Sequence, residues 1–310
     1  MAQTSEPNAM SNLQNPIFTD EDKAREYLEA VRWPEGPYCP HCGAVEGLKK
    51  LEGKSHRPGL YQCNSCRGHF TVTVGTLYER SKVPLTKWLL ATYLLTSSKK
   101  GISAHQIHRT LGVTYKTAWF MCHRIRESMR DANPTPMGGN GETIEIDETY
   151  IGRKSHMKKV TGGNHKHAVL TLVTRGGKAR SFHVDGVAAK DLLPRIRHNV
   201  MQDTKIMTDE HAAYRKLGGE FAEHHVVNHS ADEYVRGAAY TNTVEGFFSI
   251  FKRGMKGVYQ HCGEQHLQRY LTEFDFRYSN RKLSDIDRAT TAVAGIVGKR
   301  LTYRRTNKPA

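Results

Sequence analysis

The stretch Thr143-Ile-Glu-Ile-Asp147-Glu-Thr-Tyr-Ile-Gly152 constrains the fold most, because it sets a carboxylate where an alternating apolar run gives way to a polar loop. The alternation from Ile144 to Ile146 predicts a strand with one buried face, so Asp147 points away from the isoleucines, and Glu148, Thr149 and Tyr150 continue the edge of a site. A lone strand-end Asp fits an exposed edge as well as a metal ligand. A second strand-end acid, in Lys205-Ile-Met-Thr-Asp209-Glu-His211, shifts the balance, and a later predicted helix adds Asn242, Glu245 and Lys252. On that helix Val244, Phe247, Phe248 and Phe251 form an apolar stripe, while Asn242, Glu245, Ser249 and Lys252 share a polar one. The helix can therefore bury its aromatics and aim Glu245 at the two aspartates, and three acids so placed predict metal-dependent phosphoryl transfer.

Between these residues the pattern predicts strands at 167–174 and 180–184, a helix at 188–200 despite Pro194, and a strand at 204–208. A helical turn at 211–217, a strand at 224–228 and the helix at 241–254 follow. This βββαβαβα order, with acids after the first and fourth strands and on a late helix, resembles the ribonuclease H-like fold. The fold class expected for 143–281 is α/β, a mixed five-stranded sheet with helices.

Upstream, Cys39-Pro-His-Cys42 and Cys63-Asn-Ser-Cys66 give a doubled Cys-x-x-Cys spacing, which matches a four-cysteine structural zinc site. Four thiolates close the metal's coordination and leave no open position for chemistry; His41 and His69 are bystanders. Strands at 61–63 and 70–74 make 37–80 a zinc ribbon, preceded by a segment, 1–36, with a helix at 19–31 that Thr19 can cap. The other two of the six cysteines, Cys122 and Cys262, stand alone in helical patterns as core thiols. From 81 to 131 the pattern is helical and basic. Ser103-Ala-His-Gln106 is a capping box, Gly112-Val113-Thr114 a turn, and the second helix buries Ala118, Cys122, Ile125 and Met129. This is helix-turn-helix logic, whose outward face would offer Tyr115, Lys116, His123 and Arg126 to a DNA groove; the alternative is an αα-hairpin with a solvated basic face. Residues 132–142 read as a linker. Those from 282 to 310 read as a basic tail with Lys299, Arg300, Arg304, Arg305 and Lys308, either a DNA clamp or a solvated end.

A formal net charge of +15 over 310 residues makes a polyanion the expected partner. No apolar run approaches a membrane span and the amino terminus lacks a signal-type core, which predicts a cytoplasmic protein without a membrane partner.

Five strings together resemble the acidic-triad (DDE) transposases of bacterial insertion sequences, in the ISXO-like group with an amino-terminal zinc ribbon. They are Arg32-Trp-Pro-Glu-Gly-Pro-Tyr-Cys-Pro-His-Cys-Gly43, Thr117-Ala-Trp-Phe-Met-Cys-His-Arg-Ile-Arg126, Ile144 to Gly152, Thr241-Asn-Thr-Val-Glu-Gly-Phe-Phe-Ser-Ile-Phe-Lys-Arg253, and His266-Leu-Gln-Arg-Tyr-Leu-Thr-Glu-Phe-Asp-Phe-Arg-Tyr278. The resemblance implies cutting and joining of DNA at element ends and in a target, by a homo-oligomer (dimer or higher) at the bacterial nucleoid. It implies two magnesium or manganese ions held by Asp147, Asp209 and Glu245, with Lys252 on phosphate. The group varies at the third acidic position, and Asn242 lies one turn before Glu245, so either residue can complete the site; a carboxylate is the better ligand for a hard cation, which favours Glu245. Two other functions are compatible with the same residues: a non-catalytic zinc-ribbon and helix-turn-helix DNA-binding regulator, and a ribonuclease H-like nuclease that hydrolyses DNA without joining it.

Overall fold

Two segments far apart in sequence, β4 (Thr143–Ile151) and β7 (Lys205–Asp209), lie side by side and parallel, with Thr143 opposite Lys205 and Glu145 opposite Met207. They occupy the middle of a five-stranded sheet in a computed structural model of the chain, which describes residues 12–154, 157–160, 165–227 and 240–302. The described residues fall into two units, one drawn from 1–98, 102–129 and 283–310, the other from 99–101 and 130–282.

In the second unit, β5 (His167–Thr174) and β6 (Ala179–Val184) extend the sheet antiparallel on one side of β4, and β8 (Glu223–Val227) extends it parallel beyond β7. The order β6-β5-β4-β7-β8 is the mixed five-stranded sheet expected, with an α/β core consistent with the ribonuclease H-like fold. Ile144 and Ile146 of β4 pack with α5 (Ala189–Asn199) through Leu192, Leu193 and Ile196. The opposite face packs Val169 and Val173 against α6 (Asn242–Gly254) and α7 (Leu267–Ser279), through Phe247, Phe251, Leu271 and Phe274. All eight residues of β5 are buried, which is why it reads as a continuous apolar run rather than an alternating one. The helix α5 runs through Pro194, and the turn predicted at 211–217 is a 3-10 helix at Ala212–Leu217.

In the first unit, β1 (Leu48–Leu51), β2 (Leu60–Cys63) and β3 (His69–Phe70) form an antiparallel ribbon. Its first strand was not foreseen, since Leu48-Lys-Lys-Leu51 buries neither face. The helix α1 (Glu21–Arg32) is capped by Asp20, one residue after the expected Thr19. Its carboxyl end is tied to the ribbon: Trp33 meets Tyr61 and Phe70 edge-on at 5.5 and 6.0 Å, and buried Arg32 donates to the Val72 carbonyl. Its amino end is tied to α2 (Leu85–Ser97), where Glu21 accepts from Leu85 N and Thr86 N, each at 3.0 Å. The expected pair follows as α3 (Ala104–Leu111) and α4 (Tyr115–Ser128), with Ser103 capping the former and Gly112 turning in the left-handed region at φ 59°.

Two boundaries differ from the sequence reading. Residues from 282 onward are not a tail throughout: Ser284 caps α8 (Asp285–Ala294), which packs on α1, α2 and α4, and Leu77 N then donates to the Ile296 carbonyl. Of the tail's basic residues, Lys299 donates to the Ser128 carbonyl within the same unit, and Arg304, Arg305 and Lys308 lie outside the described residues. The presumed linker also contributes structure. Met137 is buried in the core, donates to the Asn199 carbonyl at 2.7 Å and accepts from Met201 N at 2.9 Å. The adjoining Gly138 has a φ of 83° and sits where a Cβ would fall 2.3 Å from Thr204 Oγ1, so only glycine fits there.

Candidate functional site

The pairing of β4 with β7 and the packing of α6 across the sheet bring Asp147, Asp209 and Glu245 together. Burial, followed by the charges of Glu148, Asp209 and Glu245, pushes the Asp147 carboxyl up to about 8. A carboxyl crowded by three others either keeps its proton or takes up cationic charge, which makes the cluster a candidate metal site. Asp209 Oδ1 accepts from His211 N at 3.1 Å, and Glu245 Oε1 accepts from Thr241 Oγ1 at 3.2 Å. Asn242 and Glu245 are both exposed on α6, while Val244, Phe247, Phe248 and Phe251 are buried, as the two stripes predicted. Lys252 lies near enough to Asp147 to be influenced by its charge, although burial lowers the lysine's proton affinity. Together with Lys166 and Lys256 it lines a cavity of 420 Å³, a cationic recess beside the acids.

The donor set is chemically suited to hard divalent cations, since it consists of carboxylate oxygens. The three acids do not form a single tight cluster of ligand atoms within 4.8 Å, the spacing at which two other groups among the described residues are found.

The sequence set Glu148 at the edge of the site without giving its partners, and it did not single out Glu145 or Arg175. Glu148 accepts a hydrogen bond from the buried Tyr214 hydroxyl, and burial with the Asp209 charge raises its carboxyl, while Tyr214 and His211 act the other way. Glu145, wholly buried, sets the position of α6. Its Oε2 accepts from Thr243 N at 2.7 Å and Val244 N at 3.0 Å, and its Oε1 accepts from Thr243 Oγ1 at 2.7 Å. A strand carboxylate thereby serves as the amino-terminal cap of the helix that carries Glu245, where anionic charge also favours the helix dipole. Arg175 Nε pairs with Glu145 Oε1 at 2.7 Å and its guanidinium also donates to the Tyr240 carbonyl at 2.9 Å. The alternation sets Glu145 on the same face as Asp147 but does not specify its partners. Glu145→Ala removes one partner of Arg175 and uncaps α6, so it is expected to destabilise the unit by about 2–4 kcal/mol. Urea unfolding of the variant checks this, and a loss under about 1 kcal/mol would mean that α6 is held by its apolar stripe alone.

The four cysteines converge. Their sulfurs lie within 4.8 Å of one another, with Cys39–Cys66 at 3.6 Å and Cys42–Cys63 at 3.7 Å. A tetrahedral zinc with bonds of about 2.3 Å separates its sulfurs by about 3.8 Å, so the set fits the ion. Each pair is followed by a residue in the left-handed region, Gly43 at φ 78° and Arg67 at φ 56°, which turns the chain into the knuckle. His41 Nε2 lies 3.3 Å from the His69 carbonyl, in keeping with a bystander.

The expected DNA-reading face of α4 needs correction. Tyr115 is exposed and stacked on His105 at 4.2 Å, and Lys116 is exposed, but His123 and Arg126 are buried at 1% and 2% exposure. The helix has three helical neighbours, α2, α3 and α8, so its covered arc is wider than one apolar stripe. Beside Tyr115, the open part of the helix includes exposed Lys116 and half-buried Phe120 and Arg124. With Arg80, Lys82 and Trp88 these three line a cleft of 350 Å³, in which Arg124 stacks over the Phe120 ring at 4.8 Å. No helix among the described residues is long and apolar enough to cross a membrane.

Residues 139–279 match the ISXO2-like transposase domain, and residues 19–69 match the transposase zinc-ribbon domain. The chain is 28% identical over 278 residues to an uncharacterized protein in transposable element ISH50 of Halobacterium salinarum, covering 84% of this chain and 91% of that relative. It is also 28% identical over 106 residues to an uncharacterized transposase-like protein of Haemophilus influenzae, covering 34% of this chain and 85% of the relative. The acids at the ends of paired strands, the helix laid across them and the cysteine ribbon agree with both domain matches: the chain carries a transposase zinc-ribbon domain followed by an ISXO2-like transposase domain.

Proposed function

We propose that the protein binds the ends of an insertion sequence, cleaves the DNA there and joins the freed end to a target, acting as a homo-oligomer of two or more chains on DNA. The observation that carries this is the gathering of Asp147, Asp209 and Glu245 from two paired strands and a helix, with Lys252 beside them. Two magnesium or manganese ions bound there supply Lewis-acid activation of the attacking oxygen and charge stabilisation of the leaving one. Asp147 and Asp209 hold the reacting phosphate's surroundings in place from the rigid sheet, and Glu245 closes the site from α6. Lys252 pairs with a phosphate oxygen, with Lys166 and Lys256 extending the positive recess along the strand. Cleavage forms a bond from a water oxygen to phosphorus and breaks the bond to the 3′ oxygen, which departs with a proton. Joining repeats the displacement with a DNA 3′-hydroxyl as nucleophile. The strip of Lys116, Phe120 and Arg124 on α4 contributes phosphate and stacking contacts in the first unit.

The test is incubation of the full-length protein with magnesium and labelled element-end DNA. Joined products are the expected result; hydrolysis without joining would mean a nuclease, and binding without chemistry a regulator. The third ligand is tested in the same assay. Glu245→Gln is expected to lower cleavage about a hundredfold or more, because an amide replaces an anionic metal ligand, whereas Asn242→Ala, which removes an orienting group, is expected to lower it about tenfold. A dead Asn242→Ala beside an active Glu245→Gln would move the role to Asn242.

A further inference from the structure

Away from the acids, two histidines and a glutamate of the second unit meet at the edge of the β5–β6 hairpin. His167 opens β5, and His183 on β6 is paired with Val169. The two imidazoles therefore stand on the same face one pleat apart, with ring centroids 5.3 Å apart. Glu264 arrives from the 3-10 turn Glu264–His266 that leads into α7. One ligand atom from each of the three lies within 4.8 Å of the others, and His167 Nδ1 is 3.7 Å from Glu264 Oε1. That separation is too long for a hydrogen bond. His167 is only 5% exposed, and its Nδ1 is buried without a hydrogen-bond partner, aimed at the carboxylate.

We infer that His167, His183 and Glu264 bind a single divalent transition-metal ion, of the zinc class, at a site separate from both the acids and the cysteines. A tetrahedral ion with bonds of about 2.0–2.1 Å holds its donors about 3.3–3.4 Å apart, so a small side-chain adjustment brings the 3.7 Å pair into range. Two imidazoles and one carboxylate select zinc-like ions, whereas the oxygen-only site suits magnesium. The side chain of Glu264 is 47% exposed, which provides the entry path and an open position for water. The surrounding backbone is braced: Gln268 of α7 accepts from His183 N and donates to the Ser181 carbonyl, both at 2.9 Å, which holds β6 in register with the start of α7. The ion would fasten the hairpin to the turn before α7. Because His167 also lines the cavity that contains Lys252, it would do so at the wall of that recess.

The test is zinc uptake by the full-length protein at equilibrium in excess magnesium, which occupies the oxygen sites. The parent is expected to hold two zinc ions per chain, and His183→Gln and Glu264→Gln one each. Glu264 is half exposed, so its variant is expected to keep the parent's circular dichroism and its cysteine-bound zinc. With cobalt as the probe, the second equivalent is expected to show ligand-field absorption without thiolate charge transfer, and Glu264→Gln to weaken it more than a hundredfold, beyond the loss of a mere orienting partner. A parent that takes up one ion only, or a second ion that both variants retain at parental affinity, would overturn the assignment.

Discussion

Asp147→Asn and Asp209→Asn are each expected to lower DNA strand cleavage about a thousandfold or more while leaving DNA affinity unchanged. Bound cations in such sites are worth several kcal/mol of transition-state stabilisation, and every 1.4 kcal/mol or so is tenfold in rate. The substitutions keep the shape of the site. An asparagine at 147 still presents an oxygen to Glu148 N, which now donates to Asp147 Oδ1 at 2.7 Å, and one at 209 still accepts from His211 N. The anionic ligand alone is removed. Metal-free protein supplies a second readout: Asp147 is a half-buried carboxyl crowded by Glu148, Asp209 and Glu245, so in chelator at neutral pH Asp147→Asn is expected to melt above the parent. Cleavage by either variant in magnesium within tenfold of the parent would refute the two-ion site, and a lower melting temperature for Asp147→Asn would refute the crowding.

The second unit was legible because its elements obey simple periods. Ile144 and Ile146 alternate with Glu145 and Asp147, and the aromatics of α6 recur at helical spacing, so the faces that carry chemistry follow from those that bury. The partnership of β4 with β7 required the resemblance to a known fold, since no local pattern specifies which strands pair. Glu145 capping a helix 98 residues away is also beyond local reading, because its partners are backbone N–H groups that any sequence supplies. In α4 the period was read correctly but the width of the buried arc was not. His123 and Arg126 flank the apolar stripe, and a third helical neighbour, α8, was hidden in what looked like a tail. Its signals were present in Ser284 three residues before Asp287 and in Ala289, Ala292 and Val293, but the basic residues beyond them dominated the pattern.

Cys63→Ser is expected to abolish the zinc of the first unit and to unfold the ribbon. Structural zinc contributes about 10–16 kcal/mol of apparent binding free energy in zinc-finger peptides, as much as the whole stability of a typical domain, about 5–15 kcal/mol. The ribbon has little else to hold it: three short strands, with β1 burying neither face, and a cluster of Trp33, Tyr61 and Phe70. Cys63 is wholly buried at the end of β2, so a serine hydroxyl there is a poor zinc ligand and an inserted polar group at once. Loss should spread into α1, because Trp33 and Arg32 are shared between helix and ribbon, and Glu21 of α1 caps α2. The expected record is therefore a chain short of one zinc, with reduced near-ultraviolet dichroism from Trp33 and early proteolysis between 37 and 75. The second unit, with cores on both faces of its own sheet, is expected to keep its thermal transition. Parental zinc content in Cys63→Ser would sink the four-cysteine site. Lost zinc with an intact ribbon would show instead that the aromatic cluster, not the metal, holds the first unit together.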